Sequence, residues 1–258
     1  VLLQVLACGV CHTELDEIEG RTAPPRMPVV PGHEVVGRVD KLGMGATKFA
    51  VGDRIGIGWI HSSSGSADEN LSPLFRATGR DVDGGYAEFM TAPETYAYPI
   101  PAVFSDAEAA PLLCAGGVGY RSLRLAGIED GQRLGLTGFG GSAHIVLQLA
   151  RHLYPTSDVF VFARDPEARS FALELGAVWA GDTTDRAPEP LHAIIDTTPA
   201  WKPVVATSTP RCDTRAWRCM ATRPWATPRG AWASWRAWVI SVGAQGVHLR
   251  RPEHARRE

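Results

Sequence analysis

The sequence predicts an α/β protein in which a compact β-rich barrel precedes strand–helix–strand units on a parallel sheet. From Val1 to about Pro111, short apolar runs are broken by Gly and Pro, which is typical of strands joined by tight turns. From Cys114 onward, predicted strands alternate with predicted helices. At 258 residues and 45% hydrophobic, the chain is long enough for two medium-sized domains.

The predicted elements follow this division. In the first part, strands and tight turns are predicted at 1–6, 28–32, 35–39 and 51–58. In the second part, strands are predicted at 133–139, 158–163 and 191–196, and helices at 142–153 and 167–175. We therefore expect a β-rich barrel domain at 1–113 and a second domain, built on a parallel sheet, at 114–205.

Residues 206–258 differ in composition from the rest. Residues 1–205 carry a net charge of −9, whereas the tail carries 10 Arg, no Lys and 3 acids, together with five of the eight Trp. No strand or helix period extends over a useful length, so we expect a poorly ordered tail. Its Arg, Trp, Pro and Ala are typical of a reading-frame slip in GC-rich DNA. Nucleic-acid binding by this basic segment is the disfavoured alternative, because no platform for its aromatic rings is defined.

Composition also restricts the location and class of the protein. Since no run of 18 apolar residues and no signal peptide is evident, we expect a cytoplasmic protein without a membrane span. The chain begins inside a predicted strand, so we expect that a preceding segment is missing. Five unevenly spread cysteines do not form a disulfide framework, which leaves a metal or redox role to consider.

Cys8 and Cys11 lie in a C-x-x-C-H pattern that permits three interpretations. By spacing alone it is the attachment signature of c-type haem, and C-x-x-C is also a redox pair. The third interpretation includes His33, Glu34 and Cys114, because thiolate, imidazole and carboxylate are zinc ligands, and three protein ligands with one open position form a catalytic site. Each of these residues taken singly is also compatible with a purely structural role.

A glycine-rich turn between a strand and a helix provides a second candidate site. It contains Gly138, Gly140 and Gly141, and it matches the dinucleotide fingerprint, in which a helix N-terminus faces the pyrophosphate. The next strand ends at Ala163-Arg164 rather than on an acid, which favours the 2′-phosphate of NADP. In the alternative, Asp165 holds the ribose of NAD.

With these motifs in place, the sequence resembles the zinc-dependent alcohol dehydrogenases of the medium-chain dehydrogenase/reductase superfamily, in particular the bacterial branch similar to cinnamyl alcohol dehydrogenases. The resemblance covers Val1 to about Val205. Its motifs occur in family order, at 8–15, 31–37, 83–88, 111–116 and the Gly138 turn. It implies a GroES-like β-barrel catalytic domain followed by an incomplete Rossmann dinucleotide-binding domain. It also implies a small alcohol or aldehyde substrate and, in the parent family, a homo-oligomer.

The resemblance also implies roles for individual residues. The catalytic zinc would be bound by Cys11, His33 and Cys114, with Glu34 as an outer or exchangeable ligand, while Cys8 would pack without ligating. Thr13 would accept the alcohol proton, His12 would contact the cofactor pyrophosphate, and Trp59 would line the substrate pocket.

The sequence departs from the family pattern at three places. Asp16 stands where many members have the histidine that ends the proton relay, so Asp16 can serve only if its pKa is raised. The segment from His61 to Asn70, where the family has a four-cysteine lobe, contains no cysteine, so we expect a mobile loop and no structural zinc. After Val205 the remaining strands of the nucleotide-binding sheet are missing, which leaves four of six and makes turnover by this chain doubtful.

Overall fold

The computed structural model describes residues 1–66 and 69–198, together with three strands at 216–219, 239–243 and 246–250. Within these residues the chain forms two compact units. The first unit comprises Val1–Gly117, and the second begins at Val118. No helix among the described residues is long and apolar enough to cross a membrane.

The first unit is built on a five-stranded antiparallel sheet with the order β6-β1-β2-β3-β7. A two-stranded ribbon, β4-β5, and two short helices complete it. The strands are β1 Leu2–Cys8, β2 Val35–Lys41, β3 Arg54–Ile57, β4 Ile60–Ser62, β5 Arg76–Ala77, β6 Phe89–Thr91 and β7 Ala97–Pro99. The helices are α1 His12–Ile18 and α2 Asp106–Ala109, with 3-10 turns at Glu69–Leu71, Glu94–Tyr96 and Ala110–Leu113.

The larger hydrophobic cluster of this unit lies on one face of the sheet, and a smaller cluster joins Val36 on β2 to Ala109 and Ala110. Successive side chains of a strand point to opposite faces, so Leu3 on β1 is buried while Gln4 is exposed. The residues that meet in the core are Leu3, Val35, Val39, Ile55, Ile57, Met90, Ala92 and Ala97. This packing fixes β1, which precedes α1, and β2, which follows the loop at 28–34.

The second unit is built on parallel strands in the order β10-β9-β8-β11, which is the 3-2-1-4 order of a dinucleotide-binding sheet. All residues of β8, β9 and β11 are buried, as expected for a parallel sheet covered on both faces. The strands are β8 Leu134–Thr137, β9 Val159–Phe162, β10 Trp179–Gly181 and β11 Ala193–Asp196. The helices are α3 Ala115–Ala126, which crosses from the first unit, α4 Gly141–Leu153 and α5 Pro166–Glu174.

Three further strands extend this sheet. β12 Ala216–Cys219 pairs in parallel with β11, and β13 Val239–Gly243 and β14 Gly246–Arg250 follow as an antiparallel hairpin. These strands lie in the segment for which the sequence analysis found no periodicity. Each has only four or five residues, too few for a period to stand out. The expectation of poor order for the rest of 206–258 lies outside the described residues.

The structure differs from the sequence prediction at several elements, since α1 to α3, β4 to β7 and β10 were not predicted. The segment at 28–32 forms no strand. Helix α1 was not predicted, because it buries three carboxylates and exposes Leu15 and Ile18, the reverse of an amphipathic pattern. Helix α3 was not predicted because its first turn contains Gly116 and Gly117, which are poor helix formers.

Candidate functional site

Four side chains from separate parts of the first unit converge. The ligand atoms of Cys11, His33, Glu34 and Cys114 all lie within 4.8 Å of one another. Cys11 immediately precedes α1, His33 and Glu34 precede β2, and Cys114 follows the 3-10 turn at Ala110–Leu113. His33 and Glu34 are 5% and 3% exposed. The fold therefore brings together three separate segments of the chain, one of which supplies both His33 and Glu34.

Glu14, which the sequence analysis did not select, connects two members of this cluster. Its Oε2 accepts a 2.8 Å hydrogen bond from the backbone N–H of Cys11. Its Oε1 lies 2.5 Å from Nδ1 of His33, a close charge pair without hydrogen-bond alignment. Because Nδ1 faces Glu14, Nε2 is the nitrogen of His33 left for the cluster. A signal was present in the sequence, since Glu14 stands at the capping-box position three residues after Cys11.

The loop that carries His33 is held by a second loop about fifty residues later. The backbone N–H groups of Gly85 and Tyr86 donate to the carbonyls of Gly32 and Pro31, at 2.9 and 3.0 Å. Gly32 has φ +101°, and a Cβ there would lie 2.7 Å from the Tyr86 ring and 2.8 Å from the sulfur of Cys8. The motif around Gly85 thus shapes the turn that presents His33.

The electrostatics of the cluster favour a thiolate at Cys11. A hydrogen bond from the Cys114 thiol lowers the pKa of Cys11 to about 3, against the effect of burial, and raises that of Cys114. Burial opposes charge on His33, but its contacts with Cys11 and Glu14 raise its pKa to about 10. Burial also raises the pKa of Glu34 to about 7.

This donor set suits a divalent zinc ion. Two sulfurs, an imidazole nitrogen and a carboxylate oxygen are ligands that Zn²⁺ binds tetrahedrally, at about 2.0–2.3 Å. Such distances separate neighbouring ligands by about 3.3–3.8 Å, so a small contraction of the cluster would accommodate the ion. Cys8 differs from the cluster cysteines, because it packs against the barrel core and burial raises the pKa of its thiol to about 11.

The residues predicted to act on substrate occupy different surroundings. The hydroxyl of Thr13 lies 3.5 Å from the sulfur of Cys11, at the edge of the cluster. Asp16 is 3% exposed and accepts a 2.5 Å hydrogen bond from the guanidinium of Arg21. Nε2 of the exposed His12 lies 3.7 Å from the same carboxylate oxygen. The structure therefore shows Oδ1 of Asp16 engaged by the guanidinium of Arg21.

Trp59 lies on the chain segment that passes beside the residue before Cys114. A Cβ at the preceding Gly58 would lie 2.8 Å from the carbonyl oxygen of Leu113, which shows how closely the two backbones approach. The ring of Trp59 packs on Phe75, with centroids 4.8 Å apart and planes at 51°. Phe75 was not selected from the sequence, and no signal there singled it out.

The segment without cysteines, 61–70, is described except at 67–68. The hydroxyl of Ser63 donates to the carbonyl of Glu69 at 2.6 Å, and the hydroxyl of Tyr96 donates to the Glu69 carboxylate at 2.8 Å. These bonds tie the later part of the segment to the 3-10 turn at Glu94–Tyr96. The absence of a second zinc and the mobility of the loop remain predictions.

In the second unit, the glycine-rich turn leads from β8 into α4. Gly138 has φ +81°, and a Cβ there would lie 2.9 Å from the hydroxyl of Thr197. Gly140 is the N-cap residue of α4, and a Cβ at Gly140 or Gly141 would meet nothing within 4 Å. The turn thus leaves open space before the helix N-terminus, which a pyrophosphate requires.

An open pocket of about 450 Å³ lies beside this turn, lined by Phe139, Ala163, Arg164, Asp165 and Ala168. Arg164 is exposed, and its side chain forms no hydrogen bond or ion pair with any residue that the structure describes. The carboxylate of Asp165 is the N-cap of α5 and accepts a 3.0 Å hydrogen bond from the N–H of Glu167. The Asp165 carboxylate is thus used to cap α5, whereas the Arg164 side chain has no such bond within the described part of the chain.

The two units define a class of protein in which a β-sheet domain that brings together potential metal ligands precedes a dinucleotide-binding sheet. Comparison with known proteins agrees, since residues 1–102 match the family model of the alcohol dehydrogenase GroES-like domain. The chain belongs to the zinc-dependent alcohol dehydrogenases of the medium-chain dehydrogenase/reductase superfamily, a family of oxidoreductases. The predicted fold, a GroES-like domain followed by a partial Rossmann domain, is confirmed.

Two curated relatives illustrate the similarity. The chain is 48% identical over 206 residues to a probable alcohol dehydrogenase, AdhA, of Mycobacterium tuberculosis, covering 76% of this chain and 59% of that protein. It is 35% identical over 225 residues to a probable cinnamyl alcohol dehydrogenase, 8A, of Oryza sativa subsp. japonica, covering 80% of this chain and 62% of that protein. The chain therefore spans about three fifths of these relatives.

Solved structures show the same fold. A cinnamyl alcohol dehydrogenase from Sorghum bicolor superposes with a TM-score of 0.70 at 33% identity, covering 80% of this chain and 65% of that chain. The cinnamyl alcohol dehydrogenase of Helicobacter pylori, complexed with NADP(H), has a TM-score of 0.71 at 27% identity, covering 78% and 61%. A zinc-binding dehydrogenase of Sinorhizobium meliloti, bound to NADP, has a TM-score of 0.76 at 26% identity, covering 88% and 70%.

Proposed function

We propose that this chain is a zinc-dependent alcohol dehydrogenase that transfers hydride between a primary or aromatic alcohol, or the corresponding aldehyde, and NADP. The observation that carries the proposal is the buried cluster of Cys11, His33, Glu34 and Cys114. Bound by this set, Zn²⁺ would act as a Lewis acid toward the oxygen of an alcohol or aldehyde. A single zinc site in the chain is part of the proposal.

Different roles are proposed for the residues in and around the cluster. Cys11, His33 and Cys114 would hold the ion, and Glu34 would serve as the exchangeable or outer ligand. Glu14 keeps the Nδ1 side of His33 occupied and holds the backbone of Cys11, so it fixes two of the ligands in place. Thr13, beside Cys11, would accept the hydroxyl proton of the alcohol.

The route of that proton beyond Thr13 is inferred from the ion pair of Asp16. Oδ1 of Asp16 already accepts a hydrogen bond from the guanidinium of Arg21 and lies 3.7 Å from Nε2 of His12, so this oxygen is engaged by two neighbouring side chains. We therefore assign to Asp16 a role in holding His12 and Arg21, and the proton would leave through the cofactor ribose and water.

Preference for NADP over NAD rests on the β9–α5 turn. The exposed Arg164 lines the pocket, and its guanidinium is suited to bind a 2′-phosphate, whereas Asp165 caps α5. The solved relatives from Helicobacter pylori and Sinorhizobium meliloti contain NADP(H) and NADP. His12 would contact the pyrophosphate, and Trp59 would line the substrate pocket.

One observation favours a second candidate function, a chain that binds zinc but does not turn over. The last two described strands of the nucleotide-binding sheet, β13 and β14, run antiparallel, whereas a dinucleotide-binding sheet is mostly parallel on both sides of its centre. The half of the sheet that should face the nicotinamide is therefore built differently in this chain.

Metal content and activity of the full chain distinguish these candidates. We expect one zinc equivalent per chain in the unaltered protein and in the Cys8→Ser control, and loss of zinc in Cys11→Ser, because only Cys11 belongs to the cluster. Oxidation of NADPH that depends on cinnamaldehyde and disappears in Cys11→Ser supports the dehydrogenase. Zinc without oxidation supports the second candidate, activity that survives Cys11→Ser excludes the zinc mechanism, and two equivalents exclude a single site.

A further inference from the structure

Arg169 is a residue of α5 that does not line the pocket beside the glycine-rich turn. Its Nη1 donates to the backbone carbonyls of Ala163 and Arg164, at 2.7 and 2.9 Å. Its own backbone N–H donates to the carbonyl of Asp165 at 3.1 Å. The carbonyls of three successive residues in the β9–α5 turn are therefore all bound by one residue.

These bonds fix the part of the turn that faces the pocket. Without Arg169, the carbonyls of Ala163 and Arg164 would lose a charged donor, and the turn would gain backbone freedom that a ligand must then remove. The same Nη1 also lies 3.8 Å from the carboxylate of Asp182, which follows β10, and this carboxylate supplies a countercharge for the guanidinium. The side chain of Arg169 is only 26% exposed, so it contacts the turn on the side that faces away from solvent.

We propose that Arg169 is a positioning residue for recognition of the 2′-phosphate, acting by holding the backbone of Arg164 so that its guanidinium projects into the pocket. The proposal rests on the proposed NADP preference and extends it to a residue without contact with the cofactor. Its physical basis is preorganisation: the conformational cost of binding is paid by bonds that exist in the free protein. Arg169 therefore affects ligands with a 2′-phosphate much more than ligands without one.

Two small nucleotides probe this turn without the nicotinamide half of the cofactor, namely 2′,5′-ADP, which carries the phosphate, and 5′-AMP, which lacks it. Calorimetric titration of the full chain gives the ratio of the two affinities. The ratio is insensitive to a uniform loss of folded protein, so a variant that is merely less stable leaves it unchanged. We expect Arg169→Met to reduce the preference for 2′,5′-ADP about tenfold and to change 5′-AMP affinity less than about twofold.

Arg151 supplies the matched control. It lies in the same unit and donates from Nη1 to a single backbone carbonyl, that of Leu175, at 2.9 Å, away from the turn. Arg151→Met therefore removes a comparable anchor, and we expect an unchanged ratio. Arg169→Lys keeps the charge and one donor nitrogen, so we expect it to restore part of the preference.

A double-mutant cycle tests whether Arg169 acts through Arg164. If it does, Arg164→Gln alone lowers the preference about tenfold, and adding Arg169→Met lowers it by no more than about twofold further. Additive losses in the double variant, or an unchanged ratio in Arg169→Met, would overturn the inference while leaving the NADP site intact. Failure of the unaltered chain to bind either nucleotide would overturn both the proposed cofactor site and the inference.

Discussion

Glu17 on α1 is a carboxyl group that folding makes harder to ionise, and its replacement should stabilise the protein in a defined pH range. The residue is 8% exposed. Burial, helped by the nearby charge of Glu14, raises the pKa of Glu17 from 4.5 to about 7. Between these values the folded chain retains a proton that the unfolded chain has released. Stability is therefore intact below pH 4.5 and declines as the pH rises toward 7.

The magnitude follows from the same pKa values. One pKa unit corresponds to about 1.4 kcal/mol, so the whole difference is about 3 kcal/mol, and residual solvent screening leaves an expected penalty of about 2 kcal/mol above pH 7. Glu17→Gln is neutral at every pH and removes this penalty. For a unit of this size, the thermal midpoint at pH 8 should rise by about 5–8 °C, with no change near pH 4.5.

Thermal unfolding of the full chain, followed from pH 4.5 to 8, measures the effect on the transition of the first unit. Glu88→Gln is the control, because Glu88 lies in the same unit with its side chain exposed. We expect the curves of Glu17→Gln and the unaltered chain to meet near pH 4.5 and to separate as the pH rises. Parallel curves across this range would refute the assignment of a raised pKa to Glu17.

Two further substitutions test the loops that shape the sites. Gly32→Ala places a Cβ against the ring of Tyr86 and the sulfur of Cys8, on a residue with φ +101°. We therefore expect the free energy of unfolding to fall by about 2–4 kcal/mol and the zinc content to decrease. Normal values for both would contradict the role of this turn. Asp165→Ala removes the N-cap of α5 and should cost about 1 kcal/mol in chemical denaturation, with NADH affinity unchanged. A selective loss of NADH affinity would show instead that Asp165 binds the ribose.

The strands were predictable where the burial pattern is simple. β8, β9 and β11 are buried on both faces, so their short apolar runs stand out between a glycine-rich turn and polar segments. Helix α1 was not predictable in this way, because the residues that it buries include carboxylates. Buried carboxylates do not contribute to a hydrophobic period. The same helix exposes the apolar side chain of Ile18, which is again the reverse of an amphipathic pattern.

The candidate metal ligands were predictable from the sequence, but the residues that hold the ligands and the cofactor turn in place were not. Cys11, His33 and Cys114 are rare residue types whose chemistry is legible from the sequence, although only the fold shows that they meet. Glu14 and Arg169 are ordinary charged residues on helices. Their importance arises from a distance to His33 and from bonds to backbone carbonyls, and both depend on tertiary geometry.

The separation of the candidate ligands along the chain has a consequence for the lifetime of the first unit. Cys11 lies near its beginning and Cys114 near its end, so an ion held by both would cross-link a loop of about one hundred residues. Such a cross-link restricts the unfolded chain as a disulfide does, but it is removed by chelation instead of reduction. The resistance of this unit to proteolysis would then follow the supply of available zinc.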